Sequence, residues 1–207
     1  MIIAIDGPAA SGKGTLARRL AARFGLAHLD TGAIYRAVAR RLLDAGQAPD
    51  DAAAALAAAA ALTPEELSDP RLRDEAVGQA TSVVAAIPAV RGALLDFQRR
   101  FARRAGGAVL DGRDIGTVVC PDATIKIFLT AAPEERARRR AKELRDRGTA
   151  VIDAAVLQDI RERDARDSGR STAPLVPAAD AFVIDTSALD ADAAFAAALA
   201  HIEARTA

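Results

Sequence analysis

The sequence predicts an α/β fold, a five-stranded parallel sheet with helices on both faces, and three observations predict it. Short apolar runs recur near residues 2–5, 26–30, 108–111, 125–129 and 181–184 and read as strands. Longer segments with apolar residues at helical spacing lie between them, and strands alternating with helices build a mainly parallel sheet. The first run, Ile2-Ile3-Ala4-Ile5, ends in Gly7-Pro8-Ala9-Ala10-Ser11-Gly12-Lys13-Gly14-Thr15 and passes straight into a helical pattern.

Strand, glycine-rich turn, helix is the context in which G-x-x-x-x-G-K cradles phosphate. Gly7 and Gly12 let the backbone curl so that N–H groups converge on an anion, and the helix N-terminus adds partial positive charge. Lys13 supplies a compact point charge for the outer phosphates. Gly14 stands in the usual Ser/Thr slot, and the hydroxyl arrives one residue later at Thr15. The loop implies a bound nucleoside triphosphate. A Lys-Gly-Thr ending resembles nucleoside monophosphate kinases more than GTPases or helicases.

The first helix presents Leu16, Leu20 and Phe24, and Gly25 is its natural stop. The second strand ends in Asp30-Thr31-Gly32, where Asp30 or Thr31 can cap a helix with Ile34, Val38 and Leu42 as its buried stripe. Arg36 lies off that stripe, near a strand end, where ligands of open α/β sheets bind. Residues 47–87 are alanine-rich, and since alanine is the best helix former they are expected to make short packed helices. Pro88 opens a long helix whose expected buried positions are Val90, Leu94, Leu95, Phe97 and Phe101.

The third strand stops at Asp111, a carboxylate at the end of an apolar run, placed to orient magnesium through water. Pro133, Glu134 and Glu135 suit the start of a helix carrying Arg136, Arg138, Arg139, Arg140 and Arg145. These like charges would repel one another without an anion to gather around. A further helix starts at Asp153, and if it runs on far enough, Arg163, Arg166 and Arg170 share one face. The final helix is expected to bury Phe195, Leu199 and Ile202. His28 and His201 have no metal or catalytic partner nearby in sequence, and His201 reads as a surface residue. Cys120 reads as a small core filler.

Composition narrows the functional classes. At 207 residues the chain suits one domain with a lid or insert. Lys plus Arg and Asp plus Glu are 28 each, and this neutrality argues against nucleic-acid binding. A single cysteine excludes an internal disulfide and suits a reducing cytosol. No secretory signal and no membrane-length apolar stretch is visible, so a soluble, cytoplasmic protein is expected.

Beyond the phosphate loop, the motifs Leu29-Asp30-Thr31-Gly32-Ala33-Ile34-Tyr35-Arg36, Asp111-Gly112-Arg113-Asp114-Ile115-Gly116-Thr117-Val118-Val119 and Ala173-Pro174-Leu175-Val176-Pro177-Ala178-Ala179-Asp180 are distinctive. With residues 125–129 and 161–170 they span nearly the whole chain, and the set closely resembles the bacterial cytidylate kinases. The resemblance implies ATP-dependent phosphorylation of CMP and dCMP, with magnesium, on a P-loop kinase core with a mobile lid.

Residue by residue, the resemblance assigns residues 7–15 to ATP, Arg36 and Arg113 to the acceptor phosphate, and Ser82, Arg91 and Asp114 to cytosine. Thr31 keeps a hydroxyl where some members carry serine. Arg163 and Asp167 match ribose contacts with Arg170 beside them, and Lys13, Arg113, Arg163 and Arg170 carry the catalytic charge. Thr15 and Asp111 would hold magnesium, Asp111 through water. The implied organisation is a core of residues 1–46, 88–136 and 150–207, an acceptor subdomain at 47–87, and a lid at about 137–149. The departure is that subdomain, where many members have a longer insert with a small antiparallel sheet. A monomer is expected.

Two other readings remain at the level of sequence. A P-loop kinase for another small acceptor differs only at Ser82, Arg91 and Asp114. A nucleotide switch or motor is the other; a GTPase would carry an Asn-Lys-x-Asp base-reading motif, which is absent. Acceptor-dependent ADP release separates these classes.

Overall fold

The computed structural model describes residues 1–206, which form two compact units, 1–29 with 104–206, and 30–103. The first unit is built on the sheet, with strands β1 Ile2–Asp6, β2 Ala27–Asp30, β3 Ala108–Gly112, β4 Ile125–Thr130 and β5 Phe182–Asp185. Their order is β2-β3-β1-β4-β5, and all run parallel. Ile5 lies opposite Asp111 and Asp6 opposite Gly112, while Ile3 pairs with Ile125. The carboxylates that end β1 and β3 therefore emerge at the same edge of the sheet.

The helices of this unit are α1 Lys13–Phe24, α6 Pro133–Asp146, α7 Asp153–Ser168 and α8 Ala191–Thr206. Leu16, Ala17, Leu20 and Ala21 of α1 pack with Ala198 and Ile202 of α8 on Ile3, Ile5, Val109, Ile125, Ile127, Leu129 and Ile184. Parallel strands are covered on both faces, hence their near-continuous apolar runs. A smaller cluster joins Ala137, Ala141 and Leu144 of α6 to Val156 and Ile160 of α7, with Ala9 and Ala10 of the phosphate loop against it.

The second unit holds α2 Thr31–Asp44, α3 Ala52–Ala60, α4 Glu75–Val84 and α5 Pro88–Ala102, with two short 3-10 turns, Pro64–Ser68 and Pro70–Arg73. Residues 47–87 are helix and turn, without a strand among the described residues. Ile34, Val38 and Leu42 are buried as the spacing predicts. Asp30, rather than Thr31, caps α2, accepting from the Ala33 N–H at 3.1 Å.

Several sequence expectations are corrected. On α5 the buried face is Val90, Arg91, Leu94, Gln98 and Ala102, with Leu95, Phe97 and Phe101 only partly covered. Gln98 is tolerated inside because its amide donates to the Leu94 carbonyl at 3.2 Å. On α8 the small Ala194 and Ala198 are buried with Ile202, while Phe195 and Leu199 are partly exposed. Arg19 lies over the Phe195 ring at 4.3 Å. His201 is not a bare surface residue: its ring stacks on Phe182 with centroids 4.2 Å apart, and burial lowers its pKa. Helix α7 stops at Ser168, with Gly169 as its C-cap donating its N–H to the Ala165 carbonyl, so Arg170 lies beyond the helix; a side chain at Gly169 would meet that carbonyl at 2.8 Å. Cys120 is buried, as expected.

Candidate active site

The phosphate loop has the geometry its composition demands. Gly7 and Gly12 have φ of 154° and 92°, and a Cβ at Gly7 would lie 2.2 Å from the Leu129 carbonyl oxygen of β4. Only glycine lets β1 turn there. Ala10 also takes the left-handed region, at φ 58°. No side chain caps α1, so its N-terminus is left for an anion. Lys13 reaches back over the loop, its Nζ donating to the Pro8 carbonyl at 3.1 Å. Thr15 is exposed in the first turn of α1.

Two residues that the motif reading passed over hold this loop from behind. Arg136 is buried, pairs with both oxygens of Asp164 at 3.0 and 2.6 Å, and donates to the Ala131 and Ala9 carbonyls at 2.8 and 3.4 Å. Thr186, buried after β5, donates from Oγ1 to the Ser11 carbonyl at 3.2 Å and accepts from Arg139 at 3.0 Å. Proline at 133 and a run of arginines were the only signals for Arg136; nothing in sequence singles out Thr186.

At the ends of β1 and β3 lies a second cluster. Asp6 is buried and accepts the N–H groups of Ile115 and Gly116 at 2.8 and 2.7 Å, anchoring the turn that begins at Asp114. Burial pushes the Asp6 carboxyl up to about 7, the two N–H groups pull against it, Asp114 adds to the rise and Lys13 subtracts. Asp114 is buried, and its side chain makes no capping bond to that turn.

Asp167 gathers the predicted arginines of this unit. Arg113 Nε donates to its Oδ2 at 2.8 Å and Arg170 Nη2 to its Oδ1 at 2.5 Å. Burial works to raise the Asp167 carboxyl, but Arg113, Arg170 and Arg163 outweigh it and bring it down to about 2. Arg113, Arg163 and Arg170 thus all act electrostatically on Asp167. The Nε of Arg170 is buried with no hydrogen-bond partner.

Asp111 is also buried, and His28 on β2 places Nε2 at 2.7 Å from its Oδ1. His28 has no such partner nearby in sequence, as expected; its partner comes from a neighbouring strand 83 residues away.

The arginines at 138–147 are not a field of bare charge. Arg138 and Arg139 pair with Glu135, Arg140 and Arg147 with Glu143, and Arg145 with Asp153. These ion pairs offset the mutual repulsion of the arginines.

In the second unit, Arg36 donates to Asp30 Oδ2 at 2.5 Å, and its Nε is buried without a hydrogen-bond partner. Gly32 makes room for that pair, since a Cβ there would stand 2.8 Å from Arg36 Nη1. Thr31 and Ser82 are buried, the Ser82 hydroxyl donating to the Gln79 carbonyl at 3.2 Å. Arg91 is buried, donates to the Ala85 carbonyl at 3.1 Å and lies over the Tyr35 ring at 5.6 Å. Among the described residues no three His, Cys, Asp or Glu side chains gather as a metal cage, and no single helix is long and apolar enough to cross a membrane.

Comparison with known proteins agrees with this geometry. The cytidylate kinase family profile matches residues 3–204. A cytidylate kinase of Methylocella silvestris is 64% identical over 203 residues, covering 98% of this chain and 94% of that protein. One from Methylobacterium sp. (strain 4-46) is 67% identical over 205 residues, covering 99% and 98%. Among solved structures, an uncharacterized protein from Eubacterium ventriosum shares the fold with a TM-score of 0.57 at 17% identity, covering 99% and 98% of the two chains. With a match over nearly its full length and relatives this similar, the chain belongs to the cytidylate kinase family.

Proposed function

We propose that this kinase transfers the γ-phosphoryl group of ATP to CMP and dCMP, giving CDP or dCDP and ADP. The observation that carries the reading is the pairing, at adjacent strand ends, of a phosphate loop with the Asp111-Gly112-Arg113-Asp114 segment, whose two carboxylates are buried, in a chain of this family.

In the first unit, residues 7–15 take the ATP phosphates, and Lys13 exchanges the Pro8 carbonyl for their outer oxygens. Phosphoryl transfer leaves little covalent work for a protein, so placed charge carries the rate. Arg113, Arg163 and Arg170 supply it, and the unpartnered Nε of Arg170 is a donor already desolvated for a phosphate oxygen. Arg113 also serves the acceptor phosphate, Asp114 the cytosine amino group, and Asp167 with Arg163 the ribose. In the second unit, Arg36 with its free Nε is assigned to phosphate, Ser82 and Arg91 to the base, and the Thr31 hydroxyl to the acceptor.

A bound magnesium ion would supply charge neutralisation at the phosphates. Thr15, exposed at the start of α1, and Asp111, through water, are the residues proposed to hold it. With no three-residue cage among the described residues, this sparse set suits an ion that keeps its waters and the phosphate oxygens. A lid of about residues 137–149 closes over the nucleotides. The proposed setting is a cytoplasmic monomer without nucleic-acid or membrane partners.

The test is ADP release measured with each nucleoside monophosphate in turn. CMP and dCMP are expected to stimulate it most, and Lys13→Ala to lower turnover by roughly two or more powers of ten. ADP release indifferent to CMP, or greatest with another acceptor, would overturn the reading.

A further inference from the structure

We propose that His28 is a positioning residue for Asp111, fixing which carboxylate oxygen is turned toward the phosphate loop. The inference rests on the reading of Asp111 as the carboxylate that orients magnesium, and it adds a residue from another strand to that site.

The geometry is specific. Asp111 is the next-to-last residue of β3 and is 3% exposed, while His28 sits on the neighbouring strand β2. His28 Nε2 lies 2.7 Å from Oδ1. A carboxylate accepts and does not donate, so the imidazole N–H is the donor and Oδ1 is committed to it. The other oxygen, Oδ2, faces the first turn of α1: a Cβ at Gly14 would lie 3.7 Å from it. Thr15, the second residue proposed for magnesium, follows Gly14 directly. A carboxylate with two unconstrained oxygens rotates about its last torsion. Once a donor holds one oxygen, the other keeps a fixed direction, and outer hydrogen bonds of this kind tune metal sites.

A purely structural role is the competing account: His28 would pin β2 to β3 and satisfy a buried charge. The two differ in what the loss of His28 changes. Pinning affects folding stability, whereas positioning affects how strongly magnesium and ATP favour each other.

The experiment measures ATP affinity by calorimetry, with and without magnesium, in the full chain and in His28→Leu, His28→Gln and Asp111→Asn. His28→Leu is expected to cut the magnesium-dependent gain in ATP affinity about tenfold, the scale of outer hydrogen-bond losses at metal sites. Metal-free ATP affinity and the KM for CMP stay unchanged. His28→Gln, whose amide nitrogen reaches the Nε2 position, is expected to restore most of the gain. Should H28L not fold, His28→Asn, which stops short of Asp111, takes its place. If Asp111→Asn lowers the gain but His28→Leu changes only the melting temperature, His28 has no positioning role. Failure of the glutamine variant to restore the gain, while well folded, also overturns the proposal. If Asp111→Asn leaves the gain intact, the reading of Asp111 falls and the proposal with it.

Discussion

Asp6 at the end of β1 accepts the backbone N–H of Gly116 at 2.7 Å, across 110 residues of sequence, and so ties the phosphate-loop strand to the turn that presents Asp114. The carboxyl is fully buried, and burial pushes it up to about 7 against the Gly116 and Ile115 N–H groups. A carboxyl that holds its proton more tightly folded than unfolded stabilises most below its unfolded value, ordinarily about 4. That contribution is lost as pH rises through about 7. Asp6→Asn does not titrate. Urea unfolding of both proteins should show the wild-type advantage shrinking between pH 5 and pH 8; an advantage that is constant or grows would contradict this.

Asp167 behaves in the opposite sense. Burial opposes its ionisation, but Arg113, Arg170 and Arg163 bring the carboxyl down to about 2. Its contribution is therefore present above the unfolded value and lost as pH falls from about 4 toward 2, amounting to about 2 kcal/mol by linkage. Asp167→Asn should be markedly less stable at pH 7, with the gap closing as the solution is acidified. A gap of equal size at pH 7 and pH 2.5 would mean that the arginines do not hold Asp167 ionised.

Asp114 is buried beside the end of β1, where its charge helps to raise the Asp6 carboxyl, and it is the residue proposed to accept from the cytosine amino group. Cytosine offers an amino donor where uracil offers a carbonyl, and a carboxylate facing a carbonyl has no proton to share. Leaving such groups unpaired costs about 1–3 kcal/mol each. Asp114→Ala should lower kcat/KM for CMP at least tenfold more than for UMP, with ATP affinity almost unmoved. Equal losses for both acceptors, at an unchanged melting temperature, would remove Asp114 from base selection.

On the proposed reading of 137–149 as a lid, its closure would be an exchange of partners. Its arginines already hold Glu135, Glu143 and Asp153, so phosphates must replace carboxylates that are in place. Amide hydrogen exchange across 137–149 should slow when a non-hydrolysable ATP analogue and CMP are bound together, more than with either alone. Exchange unaffected by both ligands would leave the segment without a lid's behaviour.

The strands and the phosphate loop were legible because buried parallel strands are written as apolar runs and the loop's glycines meet steric demands that leave no substitute. Helix faces were misread where large apolar residues were preferred to alanine, and where Arg91 and Gln98 went inside on the strength of backbone carbonyls. His28 with Asp111, Asp6 with Gly116 and Thr186 with Ser11 were not readable. Each depends on which distant segments become neighbours, and local periodicity carries no record of strand order.

The strand order has a consequence for how such a chain can change. Strands β2 and β3 lie side by side and point the same way, so the whole of residues 31–107 is a single crossover between them. Both ends of that excursion are fixed by the sheet, whereas its interior is one uninterrupted coding segment containing Arg36, Ser82 and Arg91. One contiguous replacement could lengthen, trim or exchange the segment that carries these three proposed acceptor residues, while the codons for the phosphate loop stay untouched.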